Sequence, residues 1–315
     1  LAVVVFQAGL GIVQSIVGEP LDQFLLPSEV RVAGEITLTG GVQQFWDPGS
    51  RVFATLGRYD RLGNFLYVGL LIAIAFLFEH KHKVLPAIVP WVIALGVPAL
   101  ALTFSRASWF AFFLGAMFIW LVLRRDKRVL IGFASFMIVV VGYLSMSGLQ
   151  VRFITEAPGQ TFVERFYETF SYARWRGEYY GLGRVFWLVH TPLSVVSASP
   201  VFGFGPGQFG GGAAAALRNT RVYEELGLPF GVFGTEGVID NNWFSLWAEA
   251  GTLGMIFFLW GFVLIFRRVY QSYHSSDNPL TRAICAAACS ILIAVAFNSF
   301  TSTTFEIRTT VFYIW

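Results

Sequence analysis

The chain has 315 residues, 56% of them apolar and only 13% charged. Soluble domains carry about 25% charged residues, so one water-solvated globule cannot hide this much apolar surface and lipid is the expected solvent for most of it. The net charge of +3 contains no basic run interleaved with aromatics, which excludes a nucleic-acid reading.

A membrane-crossing helix needs about 20 mostly apolar residues. Runs of that kind predict spans at 1–18, 62–79, 84–103, 107–123, 129–147, 243–266, 281–300 and 305–315. The first and last are read as incomplete spans. No charged leader or cleavage site accompanies 1–18, so it is read as a span rather than a signal peptide. The expected fold is an all-α polytopic membrane protein of about eight transmembrane helices, forming one domain over 1–315. Cys285 and Cys289, four apart in an apolar run, read as small packing residues on one helix face rather than a disulfide or metal site.

Short basic loops set the orientation. His80-Lys81-His82-Lys83, Arg124-Arg125-Asp126-Lys127-Arg128, and Arg267-Arg268 with Arg282 fall on one side under strict alternation, which places that side in the cytoplasm. Two long segments, 19–61 and 148–242, then lie outside. Both lack lysine, and their acids slightly outnumber their arginines. Residues 160–190 mix aromatics and charges and predict short helices near the membrane surface, with Trp175, Tyr179, Tyr180 and Trp187 as interfacial aromatics. The stretch from Ser199 to Phe209 has neither helical nor strand period and predicts tight turns.

Several polar residues stand out against this background. Arg106 lies between two spans at the outer edge, where an arginine either snorkels to the interface or faces a cavity with an anionic partner. Arg184, taken alone, reads as a solvated loop charge. Asp240-Asn241-Asn242 precedes the sixth predicted span and supplies a natural helix N-cap. Glu249 lies two turns into that apolar helix, where a carboxylate needs a partner. Nine residues separate it from Asp240, about 900° of helix, so the two are expected on opposite faces. His190 follows Arg184 by six residues and is expected off its face, as a structural residue. Asp47 and Asp60 carry metal-binding chemistry, but no ligand cluster forms around them, and no metal or other cofactor is expected.

Taken in order, these elements resemble the O-antigen ligase and polymerase superfamily of bacterial membrane glycosyltransferases. The matching parts are Ser105-Arg106-Ala107-Ser108-Trp109 at the mouth of two spans and Arg184-Val185-Phe186-Trp187 early in the large loop. The Gly/Pro turn from Pro200 to Phe209 follows, then Asp240-Asn241 running to Glu249 and Gly251. Arg51 and the run from Gly57 to Asn64 are similar to a looser motif opening an earlier span. The likeness extends from about residue 50 to the end. It departs from the family at Asp240, where the family has histidine.

The resemblance implies a donor glycan on undecaprenyl diphosphate, a lipid, glycan or protein acceptor, and chemistry on the periplasmic face of the bacterial inner membrane. Arg106 and Arg184 would stabilise charge on the departing diphosphate, since a guanidinium stays charged and offers a fork of donors to phosphate oxygens. Asp240 would serve as base or acceptor contact. Ser105, Trp109, Trp187, Asn241, Glu249 and Arg58 would bind substrate, and the Gly/Pro turn would shape the outer wall. Ligase, polymerase and protein glycosylation remain open, beside a transporter or flippase of lipid-linked sugars and a non-catalytic membrane protein of the same fold.

Overall fold

The computed structural model describes residues 1–25, 30–33, 36–39, 51–79, 87–126, 128, 131, 168–169, 171–234 and 237–306. The predicted span at 129–147, nearly all of 305–315, His80 to Lys83, Lys127, Asp47 and residues 148–167 fall outside them, apart from Ile131 within 129–147. Among the described residues the regular secondary structure is helical except for a short antiparallel hairpin. Its strands are β1 (Val30–Ala33) and β2 (Ile36–Thr39), with Val30 opposite Thr39 and Ala33 opposite Ile36. The longer helices are α1 (Ala2–Val17), α2 (Glu19–Leu25), α3 (Tyr59–Glu79), α4 (Ile88–Leu102) and α5 (Arg106–Met117) with a π-helical continuation, Phe118–Leu123. They are followed by α6 (Tyr172–Tyr180), α7 (Arg184–His190), the short α8 (Gly212–Ala216) and α9 (Arg221–Glu225), α10 (Asn242–Ser275) and α11 (Pro279–Asn298).

Among the described residues, four segments are long and apolar enough to cross a membrane: Tyr59–Glu79, Arg106–Leu123, Asn242–Ser275 and Pro279–Asn298. This gives the chain the character of a membrane protein. Two further predicted spans contain shorter apolar helices among the described residues. The α4 helix has 15 residues and α1 has 16; at 1.5 Å per residue these reach about 22–24 Å, below the ~30 Å of a hydrocarbon core.

The residues form two compact units. The first gathers described residues within 1–23, 45–171 and 269–294. Its centre is α3, and its helices meet through small residues that let backbones approach closely, as membrane helices do. Val4 of α1 packs on Gly69, Leu70 on Gly96 of α4, and Leu71 on Gly115 of α5. A Cβ at Gly63 would lie 2.5 Å from Ser108 Oγ, so glycine there sets the α3–α5 spacing.

Two clusters of buried polar groups in this unit are paired, as an apolar surround favours. Gln7 and Gln14 share a face of α1, seven residues apart. Gln14 Oε1 accepts the N–H groups of Phe53 and Ala54 at 2.9 and 2.8 Å, and its Nε2 donates to Asp22 at 2.6 Å. At another point four helix ends meet on Glu79. Tyr273 donates to it at 2.7 Å, Arg282 at 2.9 Å, and the Arg124 guanidinium lies 3.7 Å away. These residues close α3, follow the π segment, end α10 and open α11.

The second unit gathers described residues within 24–44, 172–268 and 295–315. Its core is Trp187, Val195, Phe209, Tyr223, Ile239 and Ala248 with their neighbours. The sixth predicted span is broken in this unit. At Gly251 the backbone has φ 68° and ψ −179°, so α10 is two helical pieces. A break in an apolar helix strands carbonyls and N–H groups. Here the 200–205 turn takes them up. Phe204 and Gly205 donate to the carbonyls of Ala248 and Glu249, both at 2.9 Å. Thr252 and Leu253 donate to the carbonyls of Pro200 and Val201 at 2.9 and 3.2 Å. The turn that reads from sequence as an outer wall is thus laced into the helix.

Candidate functional site

Two of the predicted catalytic residues form a pair in the second unit. Arg184 opens α7, with its main-chain N–H donating to Glu178 Oε2 at 2.9 Å. Arg174 of α6 binds the same Glu178 carboxylate, so α6 and α7 are tied at the start of the site. The Arg184 Nη2 donates to Asp240 Oδ2 at 3.0 Å. The two side chains are 39% and 38% exposed, which leaves the pair reachable from solvent. Asp240 has φ 50° and precedes α10. The helical-wheel expectation that set it opposite Glu249 therefore does not apply, because Asp240 is not on the helix. Aspartate is among the few side chains that adopt this left-handed conformation readily.

Asn241 caps α10, its Oδ1 accepting the Phe244 N–H at 3.1 Å. Its Nδ2 is buried and has no hydrogen-bond partner among the described residues. The same is true of the Trp187 indole N–H, one turn after Arg184. Trp187 is wholly buried, not interfacial as the sequence suggests. It packs edge-on against Phe209 and Tyr223. Buried donors without acceptors are uncommon in folded proteins and call for an explanation. Trp187 follows Arg184 by three residues and Asn241 directly follows Asp240; the atoms open to solvent here are those of the Arg184–Asp240 pair. Asn242 serves the fold instead: its N–H donates to the Ser299 carbonyl and its Oδ1 accepts from Phe305.

Glu249 is held by the fold of this unit. Its Oε1 accepts the N–H groups of Gln208 and Phe209 at 3.0 and 3.1 Å. His190 stacks on Phe186 with ring centroids 4.0 Å apart and on Tyr179, which fits the structural reading of that residue. Sequence reasoning passed over Tyr223. Its hydroxyl accepts the Gly210 N–H at 2.8 Å and donates to the Gly237 carbonyl at 2.7 Å. Burial pushes this phenol well above its usual range, the Gly210 N–H opposes that, and the Glu249 charge adds to it. The hydroxyl therefore remains a donor at neutral pH. Tyr223→Phe leaves both backbone groups unpaired and is expected to destabilise the unit by about 1–3 kcal/mol, read as a lower melting temperature in detergent.

The remaining predicted site residues lie in the first unit. Arg106 Nη1 is 3.5 Å from the carboxylate of Glu168, which is buried. Its anionic partner is thus a residue of the chain, 62 positions away and without a local signal. Ser105 and Ser108 share a hydroxyl bond at 2.9 Å, and Ser108 donates to Asn64 at 3.1 Å. The Trp109 indole donates to the Leu100 carbonyl at 2.8 Å. Arg58 is paired with Asp60 at 3.1 Å, which engages one of the two carboxylates with metal-binding chemistry. Ser105, Trp109 and Arg58 thus all make contacts within the first unit.

Compared with protein-family models and with curated proteins, the chain matches none.

Proposed function

We propose that this protein is a membrane glycosyltransferase of the O-antigen ligase or polymerase type. It moves a glycan from an undecaprenyl diphosphate carrier to a lipid, glycan or protein acceptor. The basic loops are cytoplasmic in this reading, and the 148–242 segment faces the periplasm of the bacterial inner membrane. The observation that supports it best is the half-exposed Arg184–Asp240 pair. Its guanidinium offers a fixed positive charge and N–H groups where negative charge develops on a departing diphosphate.

In the reaction an acceptor hydroxyl oxygen bonds to the anomeric carbon. The bond from that carbon to the phosphate oxygen breaks, and its electron pair leaves with the diphosphate. The hydroxyl proton leaves on a diphosphate oxygen. Arg184 stabilises the charge on that group. Asp240 fixes the guanidinium through Oδ2, so its part is orientation. Arg106, 3.5 Å from Glu168, is a candidate through the family resemblance.

The broken α10 invites the transporter reading, because transporters bind ligands at the exposed ends of interrupted helices. Here the backbone groups of Ala248, Glu249, Thr252 and Leu253 at the break are bonded to residues 200–205, which weighs against a ligand there.

The test is expression in bacterial strains lacking either their O-antigen ligase or their polymerase, with surface polysaccharide resolved on a gel. Restored transfer of preformed chains marks a ligase, and a restored ladder marks a polymerase. No change in either strain, nor in glycoprotein staining, with the protein present in the membrane, removes the proposal. Arg106→Ala is expected to abolish transfer while the protein still inserts. Arg106→Lys keeps a charge beside buried Glu168 and is expected to retain stability better than activity.

A further inference from the structure

We propose that Glu249 is a positioning residue that holds Arg184 and Asp240 in register through residues 208–210. The inference deepens the transferase reading and rests on it for its catalytic consequence. One face of α10 grips this segment at two points. Glu249 Oε1 accepts two consecutive N–H groups, those of Gln208 and Phe209, at 3.0 and 3.1 Å. Ser245, one turn earlier on the same face, donates to the Phe209 carbonyl at 2.9 Å. Hydrogen bonds to a carboxylate are stronger than neutral ones.

From this grip two arms reach the pair. The Phe209 ring packs edge-on against Trp187, with centroids 5.8 Å apart. Trp187 lies one turn from Arg184 on α7. The Gly210 carbonyl accepts the Ile239 N–H at 3.1 Å, and Ile239 immediately precedes Asp240. Arg184 and Asp240 are 56 residues apart in sequence. The 208–210 segment contacts the chain beside each of them, and Glu249 fixes that segment. Phe209, Trp187 and Ile239 are each fully buried, so neither arm can shift without repacking its neighbours. A carboxylate deep in an apolar helix thereby has its partners without touching substrate.

What this role requires is an acceptor oxygen at the right reach, not a negative charge. Glutamine supplies that oxygen, alanine does not, and aspartate falls one methylene short. The full chain in detergent or nanodiscs would be followed by hydrogen–deuterium exchange, read on peptides covering 204–210 and 237–241. Glu249→Ala is expected to speed exchange in both peptides by roughly tenfold to a hundredfold. Glu249→Gln is expected to stay within about threefold of the parent and to keep most transfer activity. Should the alanine variant fail to fold, Glu249→Asp reads the same contact, with a rise of about tenfold expected.

Unchanged exchange in the alanine or aspartate variant overturns the inference. So does a glutamine variant that exchanges or fails as alanine does, because that outcome assigns the role to charge. If exchange behaves as expected while Arg184→Ala transfers glycan normally, the positioning contact stands and the transferase assignment fails.

Discussion

Arg184→Ala is expected to lower glycan transfer by about a hundredfold or more, the loss seen when a fixed donor to developing negative charge is removed. The side chain is half-exposed and contributes little apolar packing, so the variant should accumulate in the membrane as the parent does. Arg184→Lys should fall between the two. Lysine restores the charge but not the planar fork that meets phosphate oxygens and the Asp240 carboxylate together.

Asp240 separates orientation from base catalysis. Asp240→Asn keeps an oxygen that can accept from Arg184 Nη2, and is expected to retain activity within about tenfold. Asp240→Ala removes the contact and should approach the Arg184→Ala level. Equal, deep losses in the asparagine and alanine variants would instead show that Asp240 takes the acceptor proton. Initial rates on a purified lipid-linked donor, normalised to protein in the vesicles, read all four variants.

The largest stability effect is expected at Gly203. Its φ is +71°, and a Cβ there would lie 2.4–2.5 Å from the carbonyl oxygens of Glu249 and Ala248 and the nitrogen of Gly251. These are backbone atoms of the interrupted helix, which cannot move aside as a side-chain tip can. Gly203→Ala therefore combines an unfavourable left-handed backbone with a clash that pries the turn from α10. The expected destabilisation is about 3 kcal/mol or more.

Gly227 supplies the comparison. Its φ is +63°, but a Cβ added there would meet no atom within 4 Å. Gly227→Ala bears the backbone penalty alone, about 1 kcal/mol. Melting temperatures of the two purified variants should differ clearly, with Gly203→Ala far lower. Matching values would show that the turn and the helix break are not mechanically joined.

The helical membrane character and the approximate bounds of the spanning helices were settled by the sequence itself. Because length and apolarity are local properties of a chain crossing lipid, Tyr59–Glu79, Arg106–Leu123 and Pro279–Asn298 each fall within three residues of a predicted run, while Asn242–Ser275 extends nine residues past the predicted end at 266. The capping role of Asn241 was legible for the same reason: a cap bonds three residues ahead. The hairpin at 30–39 was not, since its pairing joins residues that carry no such local signal.

Pairing belonged to the tertiary structure alone. Nothing near Arg106 announces Glu168, and nothing near Arg184 announces Asp240, 56 residues on. The periodicity of the sixth run gave no sign of the break at Gly251, because the stranded backbone groups are satisfied by a turn some 50 residues earlier. Glu249 shows the division most clearly. That a carboxylate in an apolar helix needs a partner follows from desolvation and could be read from its neighbours. That the partners are two backbone N–H groups of the Gly/Pro turn depends on where the chain returns, and only the folded structure decides that.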